Sequence, residues 1–164
     1  MEETFFKDFE LLIRSHYGMI YLETDEEERA ESLLQQLAGH LSLPYFTWTS
    51  TKGLRRLETD GFVYGSEDLM QALAHIEQTR FPAIYHFKGI IDHFEEKLVK
   101  QRLKDVALVL ANESGALVVT GQGLEFPDAI RQICTKITVP NPTPNEYKNL
   151  HSCPVKKKKS SVVG

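Results

Sequence analysis

The sequence predicts an α/β domain with three layers and a five-stranded, mainly parallel sheet. Short apolar runs alternate along the chain with longer segments whose apolar residues recur at helical spacing. Strands that alternate with helices form parallel sheets with helices on both faces. The chain has 164 residues, of which 41% are hydrophobic and 26% are charged, and these values are typical of one globular domain.

Each predicted strand is a short run of apolar or β-branched residues, bounded by a glycine, a proline or a polar segment. The clearest run is Ala116-Leu117-Val118-Val119-Thr120. The five predicted strands cover residues 19–23, 45–49, 83–87, 116–120 and 137–139. Residues 50–65 are mostly polar and contain three glycines, so we expect a loop there.

Each predicted helix combines an apolar stripe with a recognisable start or stop. Thr4 is the expected N-cap of the first helix, Thr24 or Asp25 that of the second, and Ser66 that of the third. The predicted helices cover residues 4–16, 26–41, 94–112 and 127–134, a stretch from 66 through 76, and a turn into a last helix within 141–150.

The net charge of −4 divides unevenly along the chain. Lys156, Lys157, Lys158 and Lys159 contribute +4 near the end, so the remainder carries −8. The phosphate backbone of nucleic acids attracts clustered positive charge, whereas most of this chain is acidic. We therefore do not expect a nucleic-acid partner.

Several other classes of protein are excluded by simple features. No apolar run reaches the roughly 18 residues of a membrane helix, so no membrane association is expected. The start Met1-Glu2-Glu3 lacks the features of a signal peptide. Cys134 and Cys153 lack metal-ligand spacing, which favours a cytoplasmic protein with reduced thiols and no bound metal.

The segment after the first strand is strongly acidic. Ligands of parallel sheets bind at the carboxyl ends of the strands, where a phosphate-binding loop needs glycines and a lysine. This segment has neither, and residues 23–31 carry six acids. The degenerate phosphate-loop position consists of Glu23, Thr24, Asp25, Glu26, Glu27 and Glu28. Acids in a first helical turn also compensate the helix dipole, and cation binding is a further alternative.

Two other features bear on function. The candidate interaction loop consists of Trp48, Thr51, Lys52, Gly53, Arg55 and Arg56. Its cations would bind an acidic partner or a phosphate, and a solvated surface is the alternative. The third predicted strand ends in His86-Phe87-Lys88, where a magnesium-dependent hydrolase needs a carboxylate. We therefore expect His86 to be a core or strand-end histidine and not a catalytic one.

Three stretches, taken in order, resemble a known family. They are Tyr21-Leu22-Glu23-Thr24-Asp25-Glu26-Glu27-Glu28-Arg29, then Trp48-Thr49-Ser50-Thr51-Lys52-Gly53-Leu54, and finally Pro127-Asp128-Ala129-Ile130 with Ile137-Thr138-Val139, Pro140, Pro142, Pro144 and Glu146. The order resembles the N-terminal domain of a family of AAA-type ATPases of cyanobacteria, plastids and other bacteria. This family is known as a hypothetical chloroplast reading frame. The likeness covers about residues 5 to 150. His86, Phe87 and Lys88 depart from it, because family members often carry Asp or Glu there.

The resemblance implies a degenerate P-loop NTPase-like fold, similar to a RecA/AAA core without its phosphate loop. We expect this domain at residues 1–150 and a disordered basic tail at 151–164. ATP and Mg²⁺ are expected only in a AAA module outside this chain, so no cofactor and no catalytic residue are predicted within it. The chain is then a truncated or separately encoded N-terminal half.

The predicted function is non-catalytic packing, oligomerisation or regulation of that ATPase module, so the expected partner is the module or a second copy. The alternatives are an ATPase in its own right and a receiver-like or small-ligand sensor domain.

Overall fold

The computed structural model describes residues 2–139. Within this range the helices are α1 (Glu2–Arg14), α2 (Glu27–His40), α3 (Leu69–Thr79), α4 (Lys97–Asn112) and α5 (Asp128–Arg131), with a 3-10 turn at Ile90–His93. The strands are β1 (Met19–Glu23), β2 (Tyr45–Thr49), β3 (Gly53–Arg56), β4 (Gly61–Phe62), β5 (Ile84–Phe87), β6 (Ala116–Gly121) and β7 (Cys134–Thr138).

The strands form one sheet in the order β4-β3-β2-β5-β6-β1-β7. All neighbours from β2 to β7 run parallel, and β3 and β4 are added antiparallel at the edge. The predicted α/β class with a mainly parallel sheet is therefore confirmed. Two strands that the sequence analysis did not predict extend the sheet to seven.

Alternating residues of the central strands supply two separate cores, which makes the architecture three-layered. On one face Ile20 of β1 packs with Phe9 of α1 and Leu34 of α2. On the other face Met19 shares a core with α3, α4 and α5, including Leu73 from α3 and Leu103 from α4. β1 is buried on both faces, which explains why it is a continuous apolar run.

The predicted loop at residues 50–65 is wrong in part, because it contains β3 and β4. Gly53 permits the hairpin between β2 and β3, since its φ is +73° and an added Cβ would lie 2.6 Å from the Ser66 hydroxyl oxygen. The Ser66 hydroxyl accepts a hydrogen bond from the backbone N–H of Leu54 at 2.7 Å. Ser66 therefore supports the hairpin and does not cap α3.

The expected helix starts also need correction. α1 begins at Glu2, ahead of Thr4. The N-cap of α3 is Asp68, whose carboxylate accepts from the backbone N–H of Gln71 at 3.1 Å. The N-cap of α2 is Glu26, which makes no side-chain capping bond.

Other boundaries shift in the second half of the chain. α4 begins at Lys97, three residues after the predicted start, because the 3-10 turn precedes it. Only Asp128–Arg131 is helical within the predicted helix 127–134, and Cys134 begins β7 three residues earlier than predicted. The predicted helix within 141–150 and the basic tail lie outside the described residues.

Candidate functional site

β1 and β6 are adjacent in the sheet, and the connections that leave their carboxyl ends pass to opposite faces of it. After β1 the chain enters α2, which packs on one face of the sheet. After β6 it enters α5, whose Ile130 is buried in the core of the opposite face. Such a switch point leaves a crevice between two adjacent strands, and ligands of open α/β sheets bind there.

Glu23 lies in this crevice, in register with Gly121 of β6. Its Oε2 accepts a hydrogen bond from the backbone N–H of Gly123 at 3.3 Å, and its Oε1 lies 3.3 Å from Nζ of Lys136. The Gly123 hydrogen bond and the Lys136 ammonium lower the pKa of the Glu23 carboxyl. The crevice therefore contains a carboxylate that already has its own donors.

The rest of the acidic segment continues from β1 into the first turn of α2. The backbone N–H of Thr24 donates to the carbonyl of Gly121 at 2.8 Å, and the Thr24 hydroxyl accepts from the backbone N–H of Glu26 at 3.0 Å. Asp25, Glu26, Glu27 and Glu28 are exposed. Glu27 and Glu28 occupy the first turn of α2, where negative charge offsets the helix dipole.

A hydrogen-bond network, here called the His86 network, joins three strands to α2. Nδ1 of His86 lies 2.8 Å from the Tyr45 hydroxyl, and Nε2 of His86 lies 2.9 Å from the Thr120 hydroxyl. The Thr120 hydroxyl donates to Oε1 of Glu27 at 2.8 Å. A carboxylate can only accept, so the Thr120 hydroxyl donates its one proton to Glu27. Thr120 must then accept from Nε2 of His86. This leaves Nδ1 of His86 as an acceptor, and the Tyr45 hydroxyl donates to it.

The buried groups of this network are held neutral by their surroundings. His86 is fully buried, and burial together with the nearby charge of Lys88 lowers its pKa to about 3. Burial and the charges of Glu31 and Glu27 raise the pKa of the Tyr45 hydroxyl. His86 is therefore a neutral core histidine, as its position in the strand predicted.

Lys88 follows β5 at the same edge of the sheet and is also neutralised. Its Nζ lies 2.6 Å from Oε2 of Glu31 on α2, and both side chains are about one quarter to one third exposed, at 24% and 30%. This cation is paired with a carboxylate that the acidic segment supplies. No local pattern in the sequence indicates this pair, because 57 residues separate the two groups.

The structure divides the candidate interaction loop into buried and exposed parts. Trp48 is only 1% exposed, its indole N–H donates to the carbonyl of Ser66 at 2.7 Å, and its ring stacks on Phe87 with centroids 5.3 Å apart. Gly53 is also buried, at the start of β3. Trp48 and Gly53 therefore shape the core and the hairpin and do not present a surface to a partner.

The remaining part of that loop is the exposed β2–β3 turn and the partly exposed end of β3. Thr51 and Lys52 lie on the surface in the turn. Arg55 lies 3.9 Å from Asp60, and Arg56 lies 3.1 Å from Glu58. The Arg56 guanidinium is also 5.9 Å from the centroid of the Phe81 ring. An interaction role for this loop stays a prediction.

Two kinds of feature are absent from the described residues. In residues 2–139 no three His, Cys, Asp or Glu side chains lie close enough together to hold a metal ion. Over the same residues, no helix combines the length and the apolar character that a membrane span needs.

Comparison with known proteins places the sequence in a family. The model of the SpoVK-like AAA ATPase N-terminal domain matches residues 5–139. An uncharacterized AAA domain-containing protein, ycf46 of Guillardia theta, is 26% identical over 148 residues, and the match covers 88% of this chain and 29% of that protein. The ycf46 protein of Trieres chinensis is 24% identical over 140 residues, covering 83% and 28%. The chain thus spans less than a third of these relatives.

A solved structure shows the same fold. The Caenorhabditis elegans protein PCH-2 superposes with a TM-score of 0.55 at 13% identity, over 87% of this chain and 43% of the PCH-2 chain. The resemblance to the N-terminal domain of AAA-type ATPases, first seen in the three sequence stretches, is confirmed by these matches. The chain belongs to the family of SpoVK-like AAA ATPase N-terminal domains.

Proposed function

We propose that this domain is the non-catalytic partner of a AAA ATPase module and binds no nucleotide at its own switch point. Its role is to pack on that module, to regulate it, or to bring copies of it together. The observation that carries the proposal is the Glu23 carboxylate in the crevice between β1 and β6.

The electrostatics of the crevice oppose a triphosphate. The Gly123 N–H and the Lys136 ammonium are donors of the kind that hold phosphate oxygens, and both already contact Glu23. A phosphate oxygen placed beside this carboxylate is repelled by its negative charge. Glu27 adds a second negative charge at the start of α2.

The end of β5 also lacks the groups that hydrolysis needs. Mg²⁺ in P-loop enzymes is held by an acidic side chain at a strand end, whereas β5 ends in Tyr85, His86 and Phe87. His86 is neutral and engaged at both ring nitrogens. The same strand end offers no Asp to accept a phosphoryl group, which disfavours both the ATPase alternative and the receiver-like alternative.

The relatives supply the argument for a AAA module as partner. They are described as AAA domain-containing proteins, and this chain matches less than a third of their length. In such relatives a AAA domain shares the polypeptide with a region like this one. We infer that the exposed faces of the domain contact that module or a second copy.

Hydrolysis and association assays test the two parts of the proposal. We expect the chain to release no phosphate from Mg-ATP above the buffer blank, and turnover that is lost in Glu27→Gln would favour the ATPase alternative. We also expect a faster-sedimenting complex when the chain is mixed with the AAA portion of the Guillardia theta relative. Two independent sedimentation boundaries would contradict the packing role.

A further inference from the structure

The outer side of α4 carries a row of lysines, although the chain without its terminal lysines has a net charge of −8. Lys97, Lys100, Lys104 and Leu108 recur at intervals of three and four residues, which places them on one face of the helix. We call this set the α4 stripe. Lys97 and Lys104 are exposed, and Leu108 is 67% exposed although its side chain is apolar.

The lysines of the α4 stripe have no partner within residues 2–139. None of them makes an ion pair there. Other charged groups of α4 are engaged, because Arg102 lies 2.5 Å from Glu77 of α3 and Asp105 accepts a hydrogen bond from Gln101 at 3.2 Å. The α4 stripe therefore offers ammonium donors that nothing in the described domain occupies.

Carboxylates without partners are concentrated at the start of α2. Asp25, Glu26 and Glu28 are exposed and make no ion pair among the described residues, and we call them the α2 acids. Glu27 and Glu31 nearby are already engaged by Thr120 and Lys88. The two ends of α4 and α2 thus present opposite charges that are not satisfied within the domain.

The two charged surfaces lie on opposite sides of the sheet. α4 packs into the core that contains Met19, and α2 packs into the core that contains Ile20. The sheet separates them, so the α4 stripe cannot reach the α2 acids of its own molecule. A symmetric contact that pairs either surface with itself would bring like charges together. A second copy of the chain, however, offers each surface its complement.

We propose that the α4 stripe of one copy docks on the α2 acids of a second copy. The ammonium groups contact the carboxylates, and Leu108 adds apolar area to the contact. Each copy then keeps one free α4 stripe and one free set of α2 acids. Such a head-to-tail contact forms a ring if its rotation closes and a filament if it does not. Exposed ion pairs are individually weak and are screened by salt, so the contact is weak and salt-dependent.

This proposal rests on the self-association part of the proposed function and deepens it, because it names the surfaces through which copies come together. Its failure can be told apart from failure of the other parts. The contact is measured on the chain alone, without nucleotide and without a AAA module. Packing on that module and the lack of nucleotide binding are measured in separate assays.

Sedimentation velocity of the full chain tests the contact. At about 20 mM salt we expect the average sedimentation coefficient to rise with protein concentration, with a dissociation constant of about 0.1 mM. At about 500 mM salt the association should weaken about tenfold, because screening shortens the reach of exposed charges. The proposal is overturned if the chain stays monomeric up to about 1 mM at low salt.

Two neutralised variants show whether the contact is head-to-tail. The α4 variant combines Lys97→Gln, Lys100→Gln and Lys104→Gln, and the α2 variant combines Asp25→Asn, Glu26→Gln and Glu28→Gln. Each alone should associate about tenfold more weakly than the unchanged chain. An equal mixture should form a dimer and nothing larger, because each variant keeps one intact surface. Either variant associating alone as tightly as the unchanged chain would overturn the proposal.

Controls separate this contact from general charge effects. Lys7→Gln and Glu67→Gln remove exposed charges outside both surfaces and should leave association unchanged. Circular dichroism checks that every variant is folded. A variant that combines Lys156→Gln, Lys157→Gln, Lys158→Gln and Lys159→Gln should also associate normally. If it loses association while the α4 variant keeps it, the α2 acids bind those terminal lysines and the proposal is wrong.

Discussion

The hydroxyl of Tyr45 on β2 lies 2.8 Å from Nδ1 of His86 on β5, inside the core that α2 covers. Through Thr120 this contact continues to Glu27, which places the start of α2 against the ends of three strands. Each buried polar atom along this path has a partner, so the polar groups add specificity to the core at little cost in stability. The same contacts keep Glu27 beside the switch point.

The Tyr45 contact predicts the effect of removing one oxygen atom. Tyr45→Phe leaves Nδ1 of His86 buried without its donor, and an unsatisfied buried group costs about 1–3 kcal/mol. Urea unfolding followed by the fluorescence of Trp48, the single tryptophan of the chain, measures this loss. Tyr64→Phe is the matched control, because Tyr64 is 95% exposed. Equal unfolding free energies for the two variants would contradict the network.

A second prediction concerns pH. Burial, with a contribution from Lys88, lowers the pKa of His86 in the folded chain to about 3, from an ordinary value of 6.5. Between these values the unfolded state binds the proton and the folded state does not. Stability should therefore fall as the pH drops below about 6.5, by at most about 1.4 kcal/mol per pH unit from this group.

Imidazole NMR signals provide the direct measurement. The ring of His86 should keep the chemical shifts of a neutral imidazole, protonated at Nε2, down to about pH 5. A titration midpoint near 6.5 for this ring would show that the folded protein accepts the proton freely, against the network described here.

The central strands are predictable from the sequence for a physical reason. β1, β5 and β6 are buried on both faces, so their sequences are nearly continuous apolar runs. β3 and β4 escaped prediction because they lie at the edge. Gly53–Arg56 ends in two partly exposed arginines, and Gly61–Phe62 is only two residues long. Neither gives the periodic apolar signal on which strand prediction depends.

The contacts of the site are much less predictable. The acidic segment is obvious in the sequence, but nothing local shows that Glu23 contacts Gly123 and Lys136 while Asp25 is exposed. The partners in the His86 network are 34 to 93 residues apart in sequence, and only the register of the sheet brings them together. Trp48 appeared to belong to a surface loop because its burial depends on packing against β5.

Two glycines test the packing of the helices. An added Cβ at Gly18 would lie 1.8 Å from the carbonyl oxygen of Ala107 in α4, whereas one at Gly39 in α2 would meet nothing within 4 Å. We expect Gly18→Ala to destabilise the fold by about 3 kcal/mol through overpacking. Gly39→Ala should stabilise it by about 0.5–1 kcal/mol through helix propensity. Thermal unfolding of both variants decides this, and similar melting temperatures would contradict the close approach of α4.

Isothermal titration calorimetry of the full chain with Mg-ATP tests most directly whether the switch point binds nucleotide. We expect no saturable heat, and none for a Glu23→Ala variant at low nucleotide concentration, because Glu27 and the lack of a glycine-rich loop remain. The domain would then have no affinity tighter than about 10 μM, or roughly −7 kcal/mol. Stoichiometric binding below that dissociation constant, with heat that depends on Mg²⁺, would contradict the account.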